Sequence, residues 1–478
     1  MLKELDLKYR FGFLIETKQE KLNTSHCSFL NSWDFTQCGE AVIAHHHEAK
    51  ISKFQFKDHF VFTLGDIFCA HGTENLENTL KQFTEENDWD AIDNLSGRFA
   101  ILTYNKKNNS FEKILTDPIG SRTLFYSTIQ PGLVASHSSL LAEILNINRD
   151  QETIEFTKSE DFLTIRTKFL PADLTMYKNI YGLPANHYYS FEEHKAIRFW
   201  PRNPIKPNNI ENLLEISKEY LLKQIEYFSA LGKRPVIGLT GGVDCRSIIA
   251  AWNSRKIHFK CLTWNRNLSN EEVIIIKKIS SHLYADSYFL DVKKTENTEP
   301  FKALKNSGYI NRGSFIGGAV LTAQTAEFSG PSDIFVRGLG GEILRGMFNK
   351  KTSKESKIED GTYAINLYKT SRLKNPTTEF RLFVEKSYND FFDRINLKNQ
   401  KLFNYDFGDL IYWEQRMSMW AASLLNEADP ALKNIAGLNS RKMYEAAYGL
   451  PDEERFQREL LLKITSNFDP YLANLPVT

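Results

Sequence analysis

The chain has 478 residues, of which 25% are charged and 42% hydrophobic, and its 60 basic and 59 acidic residues give a net charge of +1. This balance gives no electrostatic reason to expect nucleic acid or an anionic membrane as the main partner. Five widely spaced cysteines without a CxxC pair predict neither a disulfide framework nor a zinc site. There is no run of 18 apolar residues and no apolar signal-peptide core at the start, so we expect a cytoplasmic location.

The first 200 residues predict a domain built mainly of strands. Its β-branched and aromatic segments are FGFLIE (11–16), HFVFTLGDIFCA (59–70), GRFAILTYN (97–105), FEKILTD (111–117), TLFYST (123–128) and GLVASH (132–137). ENTLKQFTEEN (77–87) predicts a helix between strands. The run His45, His46 and His47 is interpreted as an exposed turn, since adjacent strand residues point to opposite faces and suit no common metal.

A linker is expected at residues 201–210, because the stretch 201–212 holds three prolines and four asparagines and ends in a helix N-cap signal. Residues 211–478 form the second predicted domain. There, helical segments alternate with the strand candidates RPVIGLT (234–240), HFKCLTW (258–264), DSYFLDV (286–292) and DIFVR (333–337). Alternation of this kind predicts a parallel sheet, followed here by a mainly helical part. The polar stretch 349–362 is interpreted as a solvated loop.

Gly241 and Gly242 stand between a predicted strand and a predicted helix, in the segment IGLTGGVDCRSIIAAW (237–252). Such a turn exposes backbone N–H groups at a helix N-terminus, where a phosphate is favoured, and glycine permits close approach and positive φ. Asp244 would repel a phosphate unless Mg²⁺ lay between them. Taken alone, the pattern fits a tight structural turn equally well, and Asp244 could instead cap the helix.

Several motifs in order resemble the synthetase domain of the asparagine synthetase family, which includes β-lactam synthetases and lasso-peptide cyclases. TGGVDCR (240–246) resembles its SGGxDS pyrophosphate loop, VRGLGGEILRGMF (336–348) its second glycine-rich segment, and WEQRMSMW (413–420) its DRMSM helix. The resemblance implies an adenine nucleotide alpha hydrolase-like (PP-loop) domain that uses ATP and Mg²⁺. It covers most of residues 210–478.

LGDIF (64–68), LSGRFAILTYN (95–105) and TDPIGSRTLFYS (116–127) resemble the glutamine amidotransferase domain of the same family, an αββα sandwich of the N-terminal nucleophile hydrolase type. That domain attacks glutamine with a cysteine directly after the initiator methionine, where this chain has Leu2. Cys27, Cys38 and Cys69 lie elsewhere. The resemblance therefore implies the fold of a degenerate amidotransferase domain without its glutaminase activity.

The resemblance also assigns candidate site residues. Asp244 and Glu342 are the expected metal ligands, and the proposed catalytic residues are Asp244, Glu342, Arg246, Glu414 and Arg345. Arg416 lies in a matched segment as well. The nucleotide-binding residues are expected to be Leu239, Thr240, Gly241, Gly242, Val243, Asp244, Cys245, Thr263, Trp264, Gly338 and Gly340.

Other interpretations of these residues remain open. Arg246 could bind a substrate carboxylate or phosphate through its planar fork, or form a structural ion pair. Cys245 is interpreted as a small buried residue rather than a nucleophile. Trp413 and Trp420, seven residues apart, are predicted to lie in the core.

Two departures from the family are visible. The family's glutamate in the second glycine turn has no counterpart, with Leu339 at the nearest position. The family's C-terminal lysine is also absent, and Lys463 belongs to the matching helix but not to the same position. Another cation must serve in its place, or the amide-forming step must differ.

These features predict an amide-forming ligase that activates a carboxylate as an acyl-adenylate and does not use glutamine. A small molecule or peptide would supply the carboxylate, and an amine would accept it, in natural-product or peptide-modification biosynthesis. A homodimer or a biosynthetic partner protein is compatible with the sequence. The alternatives are an ammonia-dependent asparagine synthetase, a non-catalytic nucleotide-binding relic, and an enzyme that adenylates a nucleobase before thiolation, which the neutral charge disfavours.

Overall fold

The computed structural model describes residues 7–18, 27–165, 168–265, 268–291, 329–330, 332–347 and 375–478, together with Lys302 and Tyr368. Over these residues the protein is a mixed α/β structure with three sheets, two of them antiparallel and one parallel. The predicted loop 349–362 and Phe348 of the segment 336–348 lie outside the described residues, as does Leu2. Among the described residues, no helix is both long enough and apolar enough to cross a membrane.

Two six-stranded antiparallel sheets make up most of the N-terminal half. The first has the order β10-β8-β9-β1-β3-β2 and the second β12-β11-β7-β6-β5-β4. The strands are β1 (Phe13–Glu16), β2 (Trp33–Cys38), β3 (Ala41–His46), β4 (Ile51–Gln55), β5 (His59–Cys69), β6 (Leu95–Asn105), β7 (Ser110–Thr116), β8 (Phe125–Ser127), β9 (Leu133–Ala135), β10 (Ile180–Gly182), β11 (His187–Ser190) and β12 (Lys195–Arg198).

Short helices accompany these sheets. They are α1 (Leu76–Glu85), α2 (Ser138–Ile144), α3 (Gln151–Lys158) and α4 (Glu160–Thr164), with 3-10 turns at Ser28–Ser32 and Ala91–Asn94. Asn75 caps α1 by accepting from the N–H of Asn78, which explains why the predicted helix begins there. Phe13 and Ile43 of the first sheet share one buried cluster with Leu64 and Ile101 of the second, so apolar side chains of both sheets form a common core.

The predicted exposed turn at the histidine run is wrong. His45 and His46 are buried at the end of β3, because this strand pairs on both sides, with β1 and with β2. Only His47 is exposed. Potential ligand atoms of His46, His47 and Glu48 lie within 4.8 Å of one another. The Glu48 carboxylate, however, is held in a two-pronged ion pair by Arg10.

A five-stranded parallel sheet of order β15-β14-β13-β16-β17 lies in the C-terminal half, as the alternating pattern predicts. Its strands are β13 (Arg234–Gly238), β14 (Phe259–Asn265), β15 (Ala285–Asp291), β16 (Asp333–Arg337) and β17 (Asn434–Ala436). All four pairings are parallel, so the carboxyl ends of the strands meet at one edge. Ligands bind beyond this edge in open α/β sheets.

Helices pack around this sheet and form the rest of the half. They are α5 (Ile210–Ala230), α6 (Asp244–Ser254), α7 (Asn270–His282), α8 (Gly341–Leu344), α9 (Thr378–Arg394), α10 (Phe407–Ile411), a π-helix (Tyr412–Ala421), α11 (Ala422–Ala428), α12 (Arg441–Tyr448), α13 (Asp452–Arg455), α14 (Glu459–Ser466) and α15 (Pro470–Asn474), with a 3-10 turn at Leu397–Asn399. The helical character predicted for this region is therefore confirmed.

Neither helix nor strand is present at residues 201–209, and the Asn209 side chain caps α5 by accepting from the N–H of Asn212. The halves on either side are packed closely together. One buried cluster contains residues of both, including Phe62 and Trp252, and buried ion pairs cross between them. Trp413 is fully buried, as predicted, whereas Trp420 is half-buried at the margin of the core and packs under Arg416.

Candidate functional site

Two glycine turns meet at the carboxyl edge of the parallel sheet. One follows β13 and leads into α6, and the other follows β16 and leads into α8, and these two strands are hydrogen-bonded neighbours. Asp244 opens α6, and Glu342 lies in the first turn of α8. The topology therefore brings the two predicted metal ligands, which are about 100 residues apart in the sequence, into one place.

Arg345, at the C-cap of α8, contacts the Asp244 carboxylate. Its Nη2 lies 3.2 Å from Asp244 Oδ2 and 3.4 Å from Oδ1. Both side chains keep contact with solvent, with 20% of Arg345 and 26% of Asp244 exposed. The Glu342 carboxylate accepts a 3.3 Å hydrogen bond from the N–H of Gly340. Asp244, Glu342 and Arg345 thus form a single cluster that a solute can reach.

Asp244 does not act as the helix cap that its position allows. The N-cap of α6 is Val243, and no side chain makes a capping hydrogen bond there. The carboxylate points instead toward Arg345 on the other turn. A carboxylate at a helix N-terminus that leaves the helix uncapped is available to a ligand.

The second turn needs glycine because backbone and side chains approach it closely. A Cβ on Gly341 would overlap Asp244 Oδ1, and one on Gly338 would come within 3.1 Å of the Cys245 nitrogen. Gly340 has a φ of 105°, which a residue with a Cβ rarely adopts, and a Cβ there would overlap the Leu438 carbonyl oxygen. These glycines therefore allow the second turn to lie directly on the first residues of α6.

Positive charge does not fully balance the two carboxylates. Burial, and then the nearby Asp244 carboxylate, raises the pKa of Glu342 to about 7. Burial raises the pKa of Asp244 as well, while the Arg345 guanidinium and, more weakly, Arg458 act in the opposite direction. A buried acid whose pKa is raised further by a neighbouring carboxylate indicates a site that favours an added cation or a shared proton.

The first glycine turn differs in one respect from its prediction. Gly241 and Gly242 do not have positive φ values, so the expectation of a left-handed turn there is wrong. Position 241 needs glycine for a different reason, because a Cβ there would overlap the Thr478 hydroxyl. Thr240 is exposed, and its hydroxyl accepts from the N–H of Gly242 at 3.2 Å. This local hydrogen bond holds the N–H side of the peptide between Gly241 and Gly242.

The residues predicted to line an adenosine lie at the ends of β13 and β14. Leu239 is buried, and its carbonyl accepts from the Thr263 hydroxyl at 2.9 Å. The half-buried Trp264 packs edge-on against Phe335 of β16 at 6.0 Å. Leu239, Thr263 and Trp264 thus lie at the same sheet edge as the carboxylate cluster, and the Thr263 hydroxyl joins two strand ends.

The two residues after Asp244 are both buried. Burial raises the pKa of Cys245, whose thiol lies 3.4 Å from the Thr240 hydroxyl, so the thiol is a poor nucleophile. Arg246 is fully buried and forms no ion pair among the described residues. Its guanidinium donates to the backbone carbonyls of Gly241, Leu472, Leu475 and Pro476.

Glu414 lies on the π-helix and is turned toward the N-terminal half. Its Oε1 is 2.6 Å from Arg198 Nη1, and both side chains are almost completely buried. Burial raises the pKa of Glu414 to about 7, against the opposing effect of Arg198. This places the Glu414 carboxylate in the contact between the two halves. Arg416 packs over Phe169, Tyr412 and Trp420.

Three residues near the carboxylates had no counterpart among the predicted site residues. Tyr412 and Tyr444 are buried, and the Glu342 carboxylate helps to raise the pKa of each. Arg458, at the start of α14, is exposed and close enough to Asp244 to lower the pKa of that carboxyl. Their sequence surroundings carry no motif that points to Asp244 or Glu342.

No protein-family model matches the chain, and no curated protein is significantly similar to it.

Proposed function

We propose that the protein is an ATP-dependent ligase that activates a carboxylate as an acyl-adenylate, releases pyrophosphate and transfers the acyl group to an amine. The observation that carries the proposal is the meeting of Asp244 and Glu342 between two glycine turns at the carboxyl edge of the parallel sheet. A helix N-terminus beside a pair of acids suits a nucleotide whose phosphates are partly neutralised by a metal ion.

The same proposal includes the finer architecture. The two antiparallel sheets with their short helices are interpreted as a degenerate αββα amidotransferase domain, and the parallel sheet as a PP-loop synthetase domain. The motif resemblance and the sheet order support this interpretation. Burial raises the pKa of Cys27 to about 11 and also raises those of Cys38 and Cys69, so none of these thiols suits glutamine attack.

The donor set fits Mg²⁺, because carboxylate oxygens are its preferred protein ligands and soft ligands are absent from the cluster. Asp244 and Glu342 would hold the ion, and when bound it would neutralise charge that develops on the departing pyrophosphate. The uncapped first turn of α6 offers backbone N–H groups to the phosphates. Arg345, beside Asp244, would bind a phosphate or the substrate carboxylate through its planar fork.

The reaction separates into two transfers. A carboxylate oxygen of the substrate attacks the α-phosphorus of ATP, and the bond to the bridging oxygen breaks to release pyrophosphate. The amine then attacks the acyl carbon, loses a proton and displaces AMP. Glu342, with its pKa of about 7, is suited to holding a proton near neutral pH when no metal is bound. The substrates proposed are a small-molecule or peptide carboxylate and an amine other than glutamine-derived ammonia.

Carboxylate-dependent exchange of labelled pyrophosphate into ATP tests the proposal over a panel of amino acids and peptides. We expect exchange that needs Mg²⁺ and one substrate class, and that is lost in Asp244→Asn. Asp286→Asn, at an exposed carboxylate on β15, is the matched control and should keep full exchange. Nucleotide binding without exchange for any carboxylate would favour the relic, and exchange with aspartate and ammonia consumption would favour an asparagine synthetase.

A further inference from the structure

Arg246 joins the first glycine turn to a distant segment of the chain. Its Nη2 donates to the Gly241 carbonyl at 2.8 Å and to the Pro476 carbonyl at 2.9 Å, while Nη1 donates to the carbonyls of Leu475 at 2.7 Å and Leu472 at 3.2 Å. The side chain is fully buried. One guanidinium therefore fastens residues 472–478, here called the strap, to the turn.

The strap also touches the turn directly. The Thr478 hydroxyl occupies the space that a side chain on Gly241 would need, and the Thr478 N–H lies 3.4 Å from the Gly241 carbonyl oxygen. Farther back, Leu472 is buried, and Asp469 caps α15 while receiving a hydrogen bond from His282 at 2.8 Å. The strap is thus anchored in the core at one end and rests on the glycine turn at the other.

The peptide bond between Gly241 and Gly242 connects the carbonyl that Arg246 binds to the N–H of the next residue. The C=O of Gly241 and the N–H of Gly242 belong to one planar trans peptide and point in opposite directions. Glycine backbones on both sides leave this peptide free to rotate unless something holds it. Here Arg246 and, at 3.4 Å, the Thr478 N–H hold the carbonyl, while the Thr240 hydroxyl accepts from the Gly242 N–H. Arg246 is the buried group on the carbonyl side and so helps to set the form of the turn that precedes α6.

We propose that Arg246 is a positioning residue, which acts through the strap to fix the glycine turn in the form that receives the nucleotide's phosphates. Arginine suits this task because its planar fork donates to several carbonyls at once, whereas a lysine carries fewer, less directed donors. The role in nucleotide binding rests on the proposed function, but the fixing of the turn does not.

Amide hydrogen exchange of the intact protein without nucleotide tests the fixing of the turn. We expect faster exchange at residues 239–245 in Arg246→Met and after deletion of residues 476–478, with partial recovery in Arg246→Lys. Arg255→Met, at the C-cap of the same helix, removes a surface ion pair with Glu226 and should leave exchange unchanged. Unchanged exchange at 239–245 in both the Arg246→Met and deletion proteins would overturn the proposal. If Arg246→Met does not fold, the result for the deletion protein alone decides.

Calorimetric titration with pyrophosphate and with Mg·ATP tests the consequence for binding. We expect Arg246→Met and the deletion each to weaken binding by tenfold or more, and the two changes together to weaken it no further than one alone, since they act through one device. Additive effects would contradict action through the strap. Absence of binding by the unaltered protein would refute the proposed function, while the exchange result would still decide whether Arg246 fixes the turn.

Discussion

Two clusters of arginine and carboxylate in this protein are built differently. Between the halves, Arg98 donates to both oxygens of Asp429, at 2.5 and 2.7 Å, to Asn426 Oδ1 and to the Ser121 carbonyl, and all of these groups are buried. At the sheet edge, Arg345 contacts the Asp244 carboxylate at 3.2 Å at the shortest, and both of these side chains are partly exposed to solvent.

The Arg98 cluster is a structural ion pair, whereas the cluster at the sheet edge is suited to binding a ligand. The Arg98 fork is saturated, so nothing remains for a ligand to add, and its charge is compensated in a buried environment. The Asp244 carboxylate has longer contacts to a partly exposed Arg345, and burial together with the Asp244 charge raises the pKa of Glu342, so we call this cluster undercompensated. A folded chain accepts such a cluster readily when a ligand supplies the missing charge.

Breaking the saturated cluster gives the largest expected effect on folding. Arg98→Met leaves the Asp429 carboxylate buried without its main partner, and we expect a loss of about 3–5 kcal/mol in the free energy of unfolding. Urea unfolding measures it. Arg234→Met, whose side chain is largely exposed, provides the control and should cost no more than about 1 kcal/mol. Equal losses in the two proteins would contradict the contrast drawn between the clusters.

Removing a carboxylate from the cluster at the sheet edge should leave stability nearly unchanged but weaken binding. Asp244→Asn removes one of two repelling carboxylates, so we expect unfolding free energy to stay within about 1 kcal/mol of the unaltered protein. Mg·ATP binding, measured by calorimetry, should nevertheless fall by about 100-fold or more because a metal ligand is lost. A destabilisation as large as that of Arg98→Met would assign Asp244 a structural role.

The two glycine turns account for the prediction of this site from sequence. The resemblance of both glycine-rich motifs to one family paired Asp244 with Glu342 without coordinates, and parallel strands joined by helices explain why turns of this kind meet at one edge. The sequence could not show that Arg246 binds carbonyls about 230 residues away, or that Glu414 faces Arg198. Those contacts depend on how helices dock, which leaves no periodic pattern. The buried histidines likewise depend on strand pairing, since β3 lies inside its sheet.

Crowding the contact between the turns should weaken the site moderately. In Gly341→Ala the new methyl group overlaps Asp244 Oδ1, and the carboxylate has to move. We expect a stability cost of about 1–3 kcal/mol and at least tenfold weaker Mg·ATP binding. Gly330→Ala, where the nearest atoms are 4.0 Å from the added carbon, is the matched control and should bind normally. Normal binding by Gly341→Ala would separate this turn from the nucleotide site.

The smallest expected effect is a dependence of metal affinity on pH. Because the pKa of Glu342 is raised to about 7, a proton competes with Mg²⁺ below that pH and no longer does so above it. We expect apparent Mg²⁺ affinity, followed by calorimetry with Mg²⁺ alone, to rise about tenfold from pH 6 to pH 8 and then level off. Affinity that is constant across this range would show that Glu342 is not displacing a proton when metal binds.

The central claim is that the two carboxylates and the first turn of α6 hold a metal-bound nucleotide. Calorimetric titration with a non-hydrolysable ATP analogue, with and without Mg²⁺, tests it most directly in the unaltered protein and in Asp244→Asn. We predict tight binding in the unaltered protein only when Mg²⁺ is present, and its loss in the variant. Equal affinity without Mg²⁺, equal affinity in Asp244→Asn, or no binding at all would contradict the account.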